Sequence, residues 1–108
     1  MIQRLHSVVD ADTTIYLLAH GPNGVRGVLR IDPDGYILSV FVEEAARGQG
    51  LGSALLDQAF AVLRELGKRT VGLSVHQDNH GARRLYERLG FMPYMPGHEG
   101  YTQFVKVL

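Results

Sequence analysis

The amino-acid sequence predicts a mixed α/β (α+β) fold, a mostly antiparallel central sheet with helices packed on it, in the order β-β-β-α-β-α-β-β. Three observations carry that expectation. Three runs of β-branched and large apolar residues lie between positions 14 and 42, separated only by Gly21-Pro22-Asn23-Gly24 and Asp32-Pro33-Asp34-Gly35. Connections that short join antiparallel neighbours. Beyond Val42 the apolar period changes from that of a strand to that of a helix, and a second helical pattern runs from Asn79 to Gly90.

The first twelve residues are the least regular. Ile2, Leu5, Val8 and Val9 have the spacing of a short helical stripe, while Asp10 and Asp12 mark a boundary. Residues 14–20, 25–31 and 36–42 then form a three-stranded meander. From Gly50 to about Leu66, the residues Leu51, Leu55, Ala59, Val62, Leu63 and Leu66 recur at helical spacing, with Asp57, Arg64 and Glu65 between them. Gly67 suits the end of that helix. Residues 71–75 are a short apolar strand, and a connection containing a whole helix places it parallel to residues 36–42. Asn79 is a suitable N-cap for a second helix that presents Ala82, Leu85, Tyr86 and Leu89. Residues 91–94 make a short strand broken by Pro93, residues 96–100 a loop, and residues 101–108 a final strand.

Length and composition narrow the function classes. A chain of 108 residues is one domain's worth, able to bury a modest core. Lysine plus arginine balance aspartate plus glutamate at 11 each, so no bulk charge draws nucleic acid or an acidic membrane. The basic residues form no continuous stripe and no recognition motif, which disfavours a nucleic-acid-binding domain. Cysteine is absent, excluding a disulfide scaffold, a thiolate zinc site and a cysteine nucleophile within the chain. Neither a long apolar run nor the apolar core of a secretory signal is present, leaving the cytoplasm as the expected compartment.

The stretch VFVEEAARGQGLGSALL, from Val40 to Leu56, runs from a strand through a glycine-rich corner into a helix. Glycines let backbone amides approach a ligand closely, and the first helical turn has N–H groups without intrahelical partners. Such a corner suits phosphate or pyrophosphate, although glycines also serve a purely structural tight turn. It lacks the Gly-Lys-Ser/Thr ending of a phosphate-binding loop and the spacing of a dinucleotide fingerprint, so mononucleotide hydrolysis and hydride transfer are disfavoured.

Two segments together resemble the GNAT superfamily of acyl-CoA-dependent N-acetyltransferases. Arg47-Gly48-Gln49-Gly50-Leu51-Gly52 matches that family's Arg/Gln-x-x-Gly-x-Gly/Ala pattern, and Asn79, Ala82, Leu85, Tyr86, Gly90 and Phe91 match its Asn-x-x-Ala-x-x-Leu-Tyr-x-x-x-Gly-Phe signature. The resemblance covers residue 14 to the C-terminus. It implies one GNAT-like domain over residues 1–108, with the family's usual first strand and two helices shortened or missing within the poorly defined residues 1–13. A minimal lid, a second subunit or a larger parent protein would then complete the acceptor pocket. Exposed apolar surface left by a missing helix layer favours self-association, hence a homodimer.

The resemblance also assigns roles. Backbone amides of residues 47–53, that is Arg47, Gly48, Gln49, Gly50, Leu51, Gly52 and Ser53, receive the pyrophosphate of acetyl-CoA. Phe41 and Val42 bond the pantetheine arm where two strands splay, and Asn79 contacts the same arm. Tyr86, seven residues after Asn79 and so about two helical turns along the same face, protonates the departing thiolate as general acid. Arg83 and Arg84 either reach the 3′-phosphate or lie on a solvated face, and Arg88 ranks below them. Glu43 is the first candidate for general base and His76 the second, with Glu44 at the same strand end and Asp78 as a further acceptor-contacting group. His20 and His98 form no metal-ligand pattern, and the chemistry calls for no metal. The implied reaction is acetyl transfer to a primary amine on a protein N-terminus, a lysine, a polyamine, an amino acid or an aminoglycoside. Neither a nucleic-acid nor a membrane partner is expected. The competing reading is a non-catalytic acyl-CoA-binding or regulatory module.

Overall fold

The computed structural model describes residues 4–108. Strands β1 (Arg4–Val9), β2 (Ile15–Gly21), β3 (Gly24–Asp32) and β4 (Tyr36–Val42) follow one another through tight turns, and each pairs antiparallel with the next. A 3₁₀ turn (Glu44–Ala46) leads to α1 (Leu51–Glu65), after which come β5 (Thr70–His76), α2 (His80–Arg88), β6 (Met92–Pro96) and β7 (Tyr101–Val107). Among the described residues seven strands form one sheet in the order β1-β2-β3-β4-β5-β7-β6, and only the β4–β5 pair is parallel. This is the mixed, mostly antiparallel sheet with packed helices that the sequence predicts.

The N-terminal segment departs from the expected order. Residues 4–9 are a strand rather than a helical stripe, adding a strand ahead of the meander; Ile2 lies outside the described residues. The reason lies in the turn that follows. Asp10 Oδ1 accepts the amides of Asp12 and Thr14, and its Oδ2 accepts the Tyr16 hydroxyl, closing β1 against β2 as a hairpin. No helix lies between β1 and β2 among the described residues. The C-terminal hairpin differs too. β6 begins after Phe91 and continues to Pro96, running through Pro93. Both prolines are tolerated because β6 is the sheet's edge, where a missing N–H costs no ladder bond.

Strand register places both helices on one face. Gly27 of β3 is paired with Val42, and a Cβ on Gly27 would stand 3.1 Å from Leu55 Cδ1 of α1, so glycine is what lets the helix settle on the sheet. Through Ile31–Ile37 and Tyr36–Gly72 the same face continues to Leu73 and its partner Phe104. Arg83 of α2 lies over the Phe104 ring, and Phe91 contacts both Phe60 of α1 and Tyr86 of α2. The core is this layer: Leu51, Leu55, Leu56, Ala59, Phe60 and Leu63 of α1 against Leu17, Leu29, Ile31, Ile37, Val71, Leu73 and Phe104 of the strands. The opposite face carries no helix among the described residues. Tyr36, Ser39, Phe41 and Ser74 alternate with the buried positions and lie there, partly or fully exposed.

Leu55 is fully buried at the centre of this layer. Leu55→Ala is expected to destabilise the fold by about 2–5 kcal/mol, measured as a lower denaturant midpoint with an unchanged slope.

Candidate active site

The site begins with a failure of strand pairing. β4 and β5 are registered at a single level, Tyr36 with Gly72, where the Gly72 amide donates to Gly35 O at 3.0 Å. Beyond that level no further residues of the two strands are paired, and a cavity of about 560 Å³ lies along the C-terminal end of β4. Val40, Phe41 and Val42 of β4 line one side; Asn79, Gly81, Ala82, Leu85 and Tyr86 line the other; Arg47, Gly48 and Gly52 stand at the mouth.

The mouth merges with the glycine corner, where a further cavity of about 220 Å³ is lined by Val42, Ala46, Arg47, Gly48, Gly50, Leu51, Gly52, Ser53, Leu85 and Arg88. Gly48 and Gly50 both have left-handed φ values, 78° and 77°. A Cβ at either would meet no atom within 4 Å, so their backbone borders open space. Gly50 is the N-cap of α1 and offers no side-chain cap, and the first turn carries no acidic residue. The Gly50 carbonyl accepts the Ala54 amide at 3.0 Å, but the preceding amides of the turn have no intrahelical acceptor. The helix dipole therefore leaves partial positive charge facing the cavity, with no carboxylate in that turn to cancel it. Arg47 Nε donates to Val42 O at 3.0 Å, drawing the guanidinium across the end of β4.

Asn79 caps α2, its Oδ1 accepting the Ala82 amide at 3.1 Å, and it also lines the wedge. The expected two-turn spacing puts Tyr86 on the same wall. Its ring sits edge-on to Phe91 at 5.6 Å between centroids, which fixes its direction, and burial pushes the phenol pKa above its ordinary value. The hydroxyl thus stays protonated through and beyond the neutral range.

Other predicted site residues lie elsewhere. Glu43 is exposed and its Oε2 is 2.6 Å from Arg26 Nε, so the carboxylate is turned toward β3 and lines neither cavity. The His76 ring packs edge-on to Tyr101 at 4.9 Å; its Nδ1 accepts the Asp78 amide at 3.1 Å, and it too lines neither cavity. Arg83 stands over Phe104 with Nε 3.5 Å from Glu87, outside both linings, and Arg84 is exposed outside them as well. Gln49 belongs to the corner without lining either cavity, whereas Ser53 lines the smaller one. Arg88, ranked below Arg83 in the sequence, lines the corner cavity instead. The reason is helical phase: Leu85 lines both cavities, and Arg88 follows it by one turn. That spacing was available in the sequence. Val40 and Ala46 were also missed, and nothing local distinguishes them from ordinary core positions.

The sequence pattern of the Acetyltransferase (GNAT) family matches residues 7–91. The mycothiol acetyltransferase of Geodermatophilus obscurus is 48% identical over 73 residues, which is 66% of this chain and 20% of that protein. The chain thus spans about a fifth of the length of that curated relative. Among solved structures, Ard1 from Thermoplasma volcanium superposes with a TM-score of 0.76 at 25% identity, covering 86% of this chain and 70% of that one. A GNAT family acetyltransferase from Elizabethkingia anophelis with acetyl-CoA bound has a TM-score of 0.79 over 88% of this chain and 76% of that one. At 18% identity that second likeness concerns the fold alone.

The raised Tyr86 pKa has a measurable consequence. Because the folded value exceeds the unfolded one, its contribution to stability is fully present below about pH 10 and is lost as pH rises through the folded value. Phenolate absorbance titration of the folded protein is expected to differ between wild type and Tyr86→Phe only above about pH 10.

Proposed function

Because the chain belongs to the GNAT acetyltransferase family, we propose that it transfers an acetyl group from acetyl-CoA to a primary amine by direct attack on the thioester. The observation that carries this reading is the continuity of an uncapped helix N-terminus, a strand wedge and a protonated tyrosine along one connected cleft. The residues fit the cofactor. The open space above Gly48 and Gly50 admits a phosphate group to the backbone amides, and the parted strands leave β4 with room for an extended arm beside Val40, Phe41 and Val42.

When bound, acetyl-CoA supplies an activated acetyl group as a thioester and releases a thiol on transfer. The chain's own contributions follow from its geometry. The amides of residues 48–53 and the dipole of α1 hold negative charge at the mouth. Arg47 and Arg88 add positive charge beside them. Asn79 orients the start of α2 and borders the arm. Tyr86 keeps a proton on its hydroxyl and acts as general acid toward the departing sulfur. Glu43 and His76 rank behind water as acceptors of the amine's proton, since Glu43 is held by Arg26 and His76 by the Asp78 amide.

The same reading makes residues 1–108 a single acetyltransferase domain that works in the cytoplasm as a homodimer, without nucleic acid or membrane. The exposed Phe41, Met92, Tyr94 and Tyr101 support self-association, and no described helix is long and apolar enough to cross a membrane. The acceptor is a small-molecule or peptide amine; one relative is named for mycothiol, another, from Schizosaccharomyces pombe, is named N-alpha-acetyltransferase 30. The sheet face that no described helix covers favours one second reading, an acyl-CoA-binding module without catalysis.

Calorimetry with acetyl-CoA and transfer assays on an amine panel separate these readings. Wild type is expected to bind acetyl-CoA and to acetylate at least one amine. Tyr86→Phe is expected to lower kcat by about 100-fold while leaving the dissociation constant for acetyl-CoA within a factor of about two. Binding without turnover on any amine leaves the module, and absence of binding removes both. Gly50→Val, which puts a branched side chain at a left-handed position bordering the cradle, is expected to weaken acetyl-CoA binding by about tenfold or more.

A further inference from the structure

We propose that Arg88 reads the 3′-phosphate of the acyl donor, so that the enzyme selects thioesters of coenzyme A itself over thioesters lacking that phosphate, such as those on the phosphopantetheine of a carrier protein. This rests on the reading of the wedge and corner as an acyl-CoA site. The two cavities share Val42, Arg47, Gly48, Gly52 and Leu85, whereas Arg88 lines the corner cavity and not the wedge. In coenzyme A the arm leads to a pyrophosphate and then to a ribose that bears the 3′-phosphate. With the arm in the wedge and the pyrophosphate on the amides of residues 48–53, the 3′-phosphate is the charged group left to place. It falls on the corner side of the cradle, where Arg88 stands.

Three features equip Arg88 for that group. Among the described residues its guanidinium has no ion-pair partner, while Arg47 is drawn onto Val42 O and Arg83 onto Glu87. No aspartate or glutamate lines either cavity, so no carboxylate in the linings competes with a phosphate. Leu85, one turn earlier on α2, lines both cavities, so the same face of the helix carries Arg88 to the corner. The chemistry of the two phosphate groups differs as well. The pyrophosphate is served by backbone amides and the dipole of α1. A phosphomonoester carries a charge of about −1.5 to −2 at neutral pH and presents three terminal oxygens, two of which a guanidinium meets with parallel N–H donors. A donor without it keeps the contacts of the arm and the pyrophosphate and leaves Arg88 in solvent. Because Arg88 is exposed, this selection weakens as salt screens the pair.

The test compares the dissociation constants of acetyl-CoA, acetyl-dephospho-CoA, which lacks only the 3′-phosphate, and S-acetyl-4′-phosphopantetheine by calorimetry at low ionic strength. Wild type is expected to bind acetyl-CoA about tenfold more tightly than acetyl-dephospho-CoA, and to bind the phosphopantetheine thioester no better than the latter. Arg88→Ala is expected to weaken acetyl-CoA by about tenfold and acetyl-dephospho-CoA by less than about twofold, so that the preference disappears. Arg88→Gln keeps most of the stem and a good helix former while removing the charge; it is expected to lose the preference equally and provides the test should Arg88→Ala fail to fold. Arg84→Ala, at an exposed position outside both linings, is expected to keep the wild-type preference. Equal weakening of both nucleotide thioesters by the Arg88 variants places the guanidinium on the pyrophosphate and overturns the proposal. Retention of the preference without Arg88, its loss in Arg84→Ala, or tight binding of the phosphopantetheine thioester by wild type overturns it too. Each of these leaves the acetyltransferase reading intact, whereas failure of the wild type to bind any of the thioesters overturns both.

Discussion

The structure depends on where β4 and β5 stop pairing. A parallel pair normally continues its slanted hydrogen bonds along the shared length of both strands. Here the ladder begins at Gly35, Tyr36 and Gly72 and goes no further, although both strands are seven residues long. Backbone groups beyond that level cannot remain unsatisfied in a closed interior, so the gap has to stay open to solvent or to a ligand with matching groups. The wedge is therefore a consequence of strand pairing, and the position of α2 against it is what turns an opening into a lined cleft.

Packing explains why the opening is stable. α1 is pressed onto β2, β3 and β4, with Gly27 allowing close approach, and α2 reaches the other half of the sheet through Phe91 and Phe104. Phe60 and Phe91 join the two helices across the parting strands. The helical layer thus spans the gap on one face while β5 and β7 remain fully paired behind it. Burial of α1 ties the sheet halves together without requiring bonds between β4 and β5. α2 contributes no fully buried residue, so its cap, its contacts with Phe91 and its register decide where Tyr86 points.

Charge is distributed by the same logic. Two carboxylates flanking these elements are paired with cations away from the linings, Glu43 with Arg26 and Glu87 with Arg83. The lining of the corner cavity carries Arg47 and Arg88 and no carboxylate, beside the amides of α1. Arg47 caps the Val42 carbonyl, occupying a backbone acceptor at the outer end of the wedge. These pairings are exposed and individually weak. Their importance lies in which groups they turn away from the cleft.

Much of this was legible in the sequence. The meander followed from two turn sequences that permit only antiparallel neighbours, α1 from a change of apolar period, and the cradle from glycines placed between a strand and a helix. Asn79 and Tyr86 share a face because helical geometry alone puts residues seven apart on one side. Tertiary structure decided what local pattern cannot express. Residues 4–9 became a strand because the Asp10 turn folds them against β2, an interaction whose value appears only once β2 exists. Pro93 could lie within β6 because sheet order made β6 an edge. Glu43 and His76 were drawn from the cleft by Arg26 and by the Asp78 amide with Tyr101, and Arg83 was replaced at the mouth by Arg88, because the direction of a side chain depends on its partners in space. The hydrogen bond between the Tyr36 and Ser74 hydroxyls joins residues far apart in the chain, and no periodicity marks it. The sequence by itself determined the meander, both helices, the glycine corner and the shared face of α2; β1, the extent of β6 and the parting of β4 from β5 were decided by long-range pairing.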